Sequence, residues 1–85
     1  MNTINWQRKA IKQLRKLQPS ARTAILNAVD SELVDLSAAR NVKKLVNHEY
    51  GYRLRAGDYR VVFDYDGSVR IVSIEEVRKR DEQTY

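Results

Sequence analysis

Apolar positions in the first third of the chain recur at helical spacing. Trp6, Ala10, Leu14 and Leu17 share one face with basic residues between them, which predicts a helix over residues 6–17. Pro19 should end that helix. Ser20 is then placed to cap a second helix whose buried stripe is Ala24, Ile25, Ala28, Val29, Leu33 and Leu36. Asn2 to Asn5 has the length of a short edge strand. Residues 37–47 are ambiguous, because Val42, Leu45 and Val46 among Lys43 and Lys44 suit either a helical turn or a loop against the core edge.

From Tyr50 the period near four gives way to alternation rich in β-branched and aromatic residues, which predicts strands as far as Val77. Gly57 and Asp58 separate residues 52–55 from residues 59–65 and read as a tight hairpin. Asp66-Gly67 separates the next strand, residues 69–77, and suits the positive φ angles of a type I′ turn. The order predicts an α+β domain: a short N-terminal strand, then two helices packed on one face of a small antiparallel sheet made by a three-strand meander. Without repeats or linkers, residues 1–85 form a single domain.

Composition then removes several kinds of chemistry. The chain has no cysteine and one histidine, so a disulfide framework and a thiolate zinc site are excluded, and a histidine-based metal cluster has no basis. No metal or cofactor is expected. No apolar run is long enough for a signal peptide or a membrane span, so the expectation is a cytoplasmic protein with no membrane partner. The net charge of +5 points to a polyanionic partner. Residues 1–49 carry nine basic and four acidic side chains, and residues 50–85 carry seven of each, so the excess lies in the first part. Arg8, Lys9, Lys12, Arg15 and Lys16 crowd one stretch without an acid, which reads as a solvated helix face or as a phosphate-binding patch.

On the strands, Arg53 and Arg55 share a face because side chains alternate, with Tyr52 and Leu54 on the other. Tyr59, Val61, Phe63 and Tyr65 form the face that should meet the helices, so Arg60 points away from them. If the hairpin register brings Arg53 and Arg55 to Arg60's side, three guanidinium groups converge on the uncovered face of the sheet. An anion offsets their repulsion, since guanidinium forks match phosphate oxygens; pairing with Asp58, Asp64 and Asp66 is the competing expectation. Beyond the last strand, Arg78-Lys79-Arg80 is followed by a terminal Tyr85, an aromatic where chain ends are usually polar. Such a tyrosine can stack on an exposed base or shift a proton at a ribose or phosphate, or it can pack on the domain's edge.

The segment YRLRAGDYRVVF at residues 52–63, the last strand, the ending from Arg80 to Tyr85, the two amphipathic helices and the Lys44-Leu45 element together resemble the RelE/ParE superfamily of toxin-antitoxin toxins, over nearly the whole chain. The resemblance, to the RelE-like branch, implies a type II toxin that cuts mRNA in the ribosomal A site without a metal ion, using the ribose 2′-hydroxyl as nucleophile. That chemistry needs positive charge on the developing phosphorane, a base at the 2′-oxygen and an acid at the 5′-oxygen. Carried over by position, Arg53 and Arg55 match the family's two basic strand residues, Arg60 its phosphate-contacting arginine, Arg80 its tail arginine and Tyr85 its C-terminal tyrosine. The implied catalytic set is Arg60, Arg80 and Tyr85. The implied substrate-binding set is Arg53, Arg55 and Lys79, where several relatives have histidine in place of Lys79.

Two departures bear on mechanism. Relatives often place lysine where this chain has Arg53 and Arg55, and arginine does not readily release a proton. Proton removal then falls to Tyr85, to another residue, or to the ribosome and substrate; His48 reads as a loop histidine. The implied partners are a cognate antitoxin, the ribosome and mRNA. The alternatives are a ParE-like inhibitor of DNA gyrase, which needs no basic cleft, and a catalytically degenerate RNA-binding module.

Overall fold

The structure, a computed structural model, describes residues 1–79; Arg80 and Tyr85 lie outside the described residues. The elements are β1 (Thr3–Trp6), α1 (Arg8–Arg15), α2 (Pro19–Glu32), a 3₁₀ turn (Leu36–Ala38), β2 (Val42–Lys44), β3 (Tyr52–Ala56), β4 (Tyr59–Asp66) and β5 (Ile71–Lys79). The five strands form one sheet in the order β1-β5-β4-β3-β2. This is the expected α+β architecture of two helices on a small sheet, with one refinement. β1 runs parallel to β5, pairing Thr3 with Ile71 through Trp6 with Ile74, so the sheet is mixed. Parallel neighbours require a long crossover, and everything between β1 and β5 supplies it.

Local chemistry moves two helix boundaries from where periodicity puts them. Trp6 closes β1 instead of opening a helix, and the pairing continues one residue further through Gln7 N–H donating to Ile74 C=O at 2.9 Å. α1 is therefore confined to Arg8–Arg15, with Leu17 in the connection. Pro19 does more than stop α1, because it occupies the first turn of α2, where a missing N–H costs nothing. That places the N-cap at Gln18 and draws Ser20 into the helix, so Ser20 is not a cap.

The core lies between the helices and one sheet face. Ala10 from α1 and Ile25, Val29 and Leu33 from α2 pack with Leu54, Ala56, Val61, Phe63, Val72, Ile74 and Val77. Tyr52 stacks on Phe63 with ring centroids 5.4 Å apart, the cross-strand aromatic pair that the alternation implies. Beyond the end of β1 the edge of β5 is sealed by α1, where Gln13 Oε1 accepts from Val77 N–H at 2.6 Å.

The turns differ from each other. Gly57 has φ +61° while Asp58 keeps a negative φ, the pattern of a two-residue type II′ hairpin with glycine leading. Asp66-Gly67 does not form the expected type I′ turn. Asp66 instead accepts hydrogen bonds from Ser68 N–H and Oγ, and the positive φ falls on Arg70 at 55°, so β5 begins at Ile71 and runs on to Lys79. Residues 37–47 divide into the end of the 3₁₀ turn and β2, whose Val42 pairs with Leu54. Among the described residues no helix is long and apolar enough to cross a membrane.

Candidate nucleic-acid interface

Register decides which cations meet. Arg55 lies directly opposite Arg60, and Arg60 directly opposite Arg78, so three arginines form one row across β3, β4 and β5. In the next row Lys43 on β2 faces Arg53, which in turn faces Val62 on β4. Because alternate residues share a face, Lys43, Arg53, Arg55, Arg60 and Arg78 all stand on the side of the sheet away from the helices. The helices supply Ala10, Ile25, Val29 and Leu33 to the core on the opposite face, and Lys9 of α1 reaches round the β5 edge to Glu76 on this one. From β2 to β5 the two rows span three strand gaps, roughly 14 Å at ~4.8 Å each.

The condition set by the sequence, that Arg53 and Arg55 lie on Arg60's side, is thus met. Lys79 is placed otherwise: it lies opposite Tyr59, a residue packed against the core, so it belongs to the helix side at the open end of β5. Arg80 and Tyr85 lie outside the described residues. His48 is exposed in the loop before β3, and its Nδ1 accepts from Tyr50 N–H at 3.1 Å.

Two members of the face escape a reading of the strands by motif. Arg78 sits within β5, where an Arg-Lys-Arg run reads as a solvated strand end; its partner Arg60 fixes its face. Lys43 belongs to a strand too short to announce itself by periodicity. The only sequence signal for either is parity, and parity is useful only once register and strand length are known.

Glu76 anchors one end of the arginine row. Its carboxylate is 4% exposed and accepts from Arg78 Nε through Oε1 and from Lys9 Nζ through Oε2 at 3.2 Å. α1 and β5 are thereby joined at the row. Burial pushes the Glu76 carboxyl up, but the hydrogen bonds and charges of Arg78 and Lys9 outweigh it and hold the group below the usual carboxylate range.

The opposite end of the same sheet face is acidic. Asp64 pairs with Ser73 across the ladder and accepts from Gly51 N–H at 2.7 Å. A bulge at Val62/Phe63 leaves Glu75 as the extra residue on β5, beside these carboxylates. Burial and the neighbouring charges of Asp64, Glu49 and Glu76 push the Glu75 carboxyl up. The face is therefore polarised, with guanidinium and ammonium groups at the hairpin end and the Asp64 and Glu75 carboxylates at the other.

A cavity of about 280 Å³ opens beside the basic rows at the β2 edge, lined by Arg40, Asn41, Val42, Lys43, Arg53 and Arg55. Among the described residues no grouping of His, Cys, Asp or Glu could hold a metal ion, so this face offers guanidinium and ammonium groups for an anion.

Residues 4–84 match the family described as the ParE toxin of type II toxin-antitoxin systems, parDE. The chain belongs to this family of toxins, within the RelE/ParE superfamily. A chain of the RelBE2 toxin-antitoxin complex from Mycobacterium tuberculosis is 25% identical, with a TM-score of 0.76 over 93% of this chain and 98% of that one. The isolated RelE toxin of E. coli superposes with a TM-score of 0.75 at 22% identity, covering 99% of this chain and 89% of its own. A chain of the archaeal RelE-RelB complex from Pyrococcus horikoshii gives 0.72 at 22% identity, over 95% and 97%. No curated protein sequence matches the chain. Membership makes this protein the toxin of a type II toxin-antitoxin pair, carried on a RelE fold.

Proposed function

We propose that this toxin is a ribosome-dependent, metal-independent mRNA endonuclease that cleaves in the A site. The observation that carries the reading is the row Arg55-Arg60-Arg78 with Lys43-Arg53 beside it on one sheet face. Like charges placed directly opposite one another destabilise a sheet, and a polyanion is the ligand that turns this cost into binding. In the reaction the 2′-oxygen attacks phosphorus, its proton passes to a base, and the bond to O5′ breaks as that oxygen takes up a proton. A 2′,3′-cyclic phosphate and a 5′-hydroxyl result. Arg60, with Arg80, stabilises the charge that builds on the phosphorane; Arg53 and Arg55 hold the strand, a role that Lys79 does not share because it stands on the helix side; Tyr85 serves the proton transfers. Arginine supplies electrostatics and not a base, so most of the catalytic demand on this face is charge stabilisation.

The partners in this reading are the ribosome with its mRNA in the cytoplasm, and a cognate antitoxin that covers the basic face. The matched chains from Mycobacterium tuberculosis and Pyrococcus horikoshii both come from RelBE2 or RelE-RelB complexes, which supports a partner of that kind. The second reading is inhibition of DNA gyrase, and the match to the ParE family is what favours it. Primer extension separates the two. Purified toxin is added to a translating extract and to the same naked mRNA. Cuts at A-site codons only in the translating sample are expected; growth arrest with gyrase-linked DNA damage and intact mRNA overturns the nuclease reading.

A further inference from the structure

The cavity at the β2 edge has four cationic side chains in its lining, Arg40, Lys43, Arg53 and Arg55, and no carboxylate. Arg53 and Arg55 belong to the basic rows already described. Arg40 and Lys43 come from a different part of the chain, and a specific device holds them there. Glu32, at the end of α2, accepts from Arg40 N–H and Asn41 N–H through Oε1, each at 2.8 Å, and from Asn41 Nδ2 through Oε2 at 2.7 Å. Asn41 C=O in turn accepts from Arg55 N–H at 2.9 Å. The Glu32 carboxylate thus takes its hydrogen bonds from backbone and amide donors, and the loop is pinned between α2 and β3 with Arg40 in the cavity lining.

A single phosphate cannot engage both ends of the basic face. Lys43 on β2 and Arg78 on β5 are separated by three strand gaps, roughly 14 Å. Two of those gaps, roughly 10 Å, lie between Lys43 and Arg60, so the cations at the β2 edge address a different phosphate from the scissile one that the proposed function gives to Arg60. We propose that the cavity of Arg40, Lys43, Arg53 and Arg55 is a second phosphate subsite, which takes a non-scissile phosphodiester of single-stranded RNA flanking the one at the arginine row. It deepens the endonuclease reading, and rests on it for the identity of the polyanion. Arg40 and Lys43 set the length of strand the toxin grips; their guanidinium and ammonium groups are binding groups.

The test uses 2′-O-methyl oligoribonucleotides, which lack the nucleophile and are not cut, in fluorescence-anisotropy titrations at several salt concentrations. For the wild-type protein, affinity rises at least about tenfold from a dinucleotide to a pentanucleotide, as one further charge-assisted phosphate contact adds. In Arg40→Gln/Lys43→Gln most of that gain is lost, and the slope of log affinity against log salt falls by about 0.7 for the phosphate no longer engaged. Both replaced side chains are exposed, and circular dichroism melting verifies the fold. The control Lys12→Gln/Lys16→Gln removes the same charge from the α1 region, outside the cavity lining, and keeps the length dependence. Wild-type gain and slope in the Arg40/Lys43 variant overturn the subsite, as does an equal loss in the control. If the wild-type protein binds neither oligonucleotide, the subsite is overturned as a site for RNA strands, while the ribosome-dependent endonuclease reading stands or falls separately on primer extension in the translating extract.

Discussion

Arg55 and Arg60 are direct partners across the β3–β4 ladder. Like-charged residues in this relationship cost a sheet up to about 1 kcal/mol. The domain carries that cost in the hairpin whose turn begins at Gly57, next to the basic cavity. Replacing Arg55 with threonine, a strand-favouring residue, is expected to stabilise the protein by about 0.2–1 kcal/mol and to weaken growth arrest. Urea unfolding and a toxicity assay on the same variant check both halves. Unchanged or lower stability with full toxicity contradicts the role given to this pair.

Glu76 is buried and holds Arg78 and Lys9. Glu76→Gln removes the charge and half of the acceptor capacity, so a loss of about 1.5–3 kcal/mol is expected near neutral pH. The native carboxyl is held below its ordinary 4.5, so its contribution is fully present above that value and is lost as pH falls through the lowered folded pKa. The stabilities of the two proteins should converge on acidification. A difference that is independent of pH argues against the ion pair as its source.

Glu32 pins the loop that delivers Arg40. Burial raises its carboxyl, but the hydrogen bonds from Asn41 and Arg40 outweigh this and hold it below 4.5. In Glu32→Ala, hydrogen exchange at the Arg40 and Asn41 amides should accelerate by an order of magnitude or more, because each loses its only acceptor on that carboxylate. Pentanucleotide affinity should fall although no side chain of the cavity has changed. Slow exchange at both amides in the variant removes the tether from the argument.

Arg70 is held at φ 55°, a conformation that costs a residue with a Cβ roughly 1–2 kcal/mol. Glycine relieves it at an entropic cost of about 0.5–1 kcal/mol, so Arg70→Gly should be more stable by about 0.5–1 kcal/mol, a rise in Tm of several degrees. Calorimetry reads the shift. The Arg70 C=O that accepts from Thr3 N–H at 2.8 Å stays in place, so the parallel pairing of β1 should survive.

Much of the architecture is legible in the residues because hydrophobic period is a local property. The stripe Ile25, Val29, Leu33 dictates α2, and the alternation Val61, Phe63 against Arg60, Val62 dictates β4 and its two faces. The family resemblance rests on the same stretch. Where two local signals compete, the sequence is less decisive: Trp6 fits a helical stripe but is taken by the β1–β5 pairing, and Pro19 displaces Ser20 from the cap.

Residue order alone determines that Arg53 and Arg55 share a face and that Arg60 turns away from the core, since strand side chains alternate whatever the neighbouring strand does. Whether those two faces coincide, and which further cations join them, depends on register between strands distant in sequence. Tertiary packing settled it by placing Arg55 against Arg60, Arg60 against Arg78 and Lys43 against Arg53. A slip of one residue would have sent each partner to the opposite side, so the charge was written in the chain and its convergence was decided by pairing.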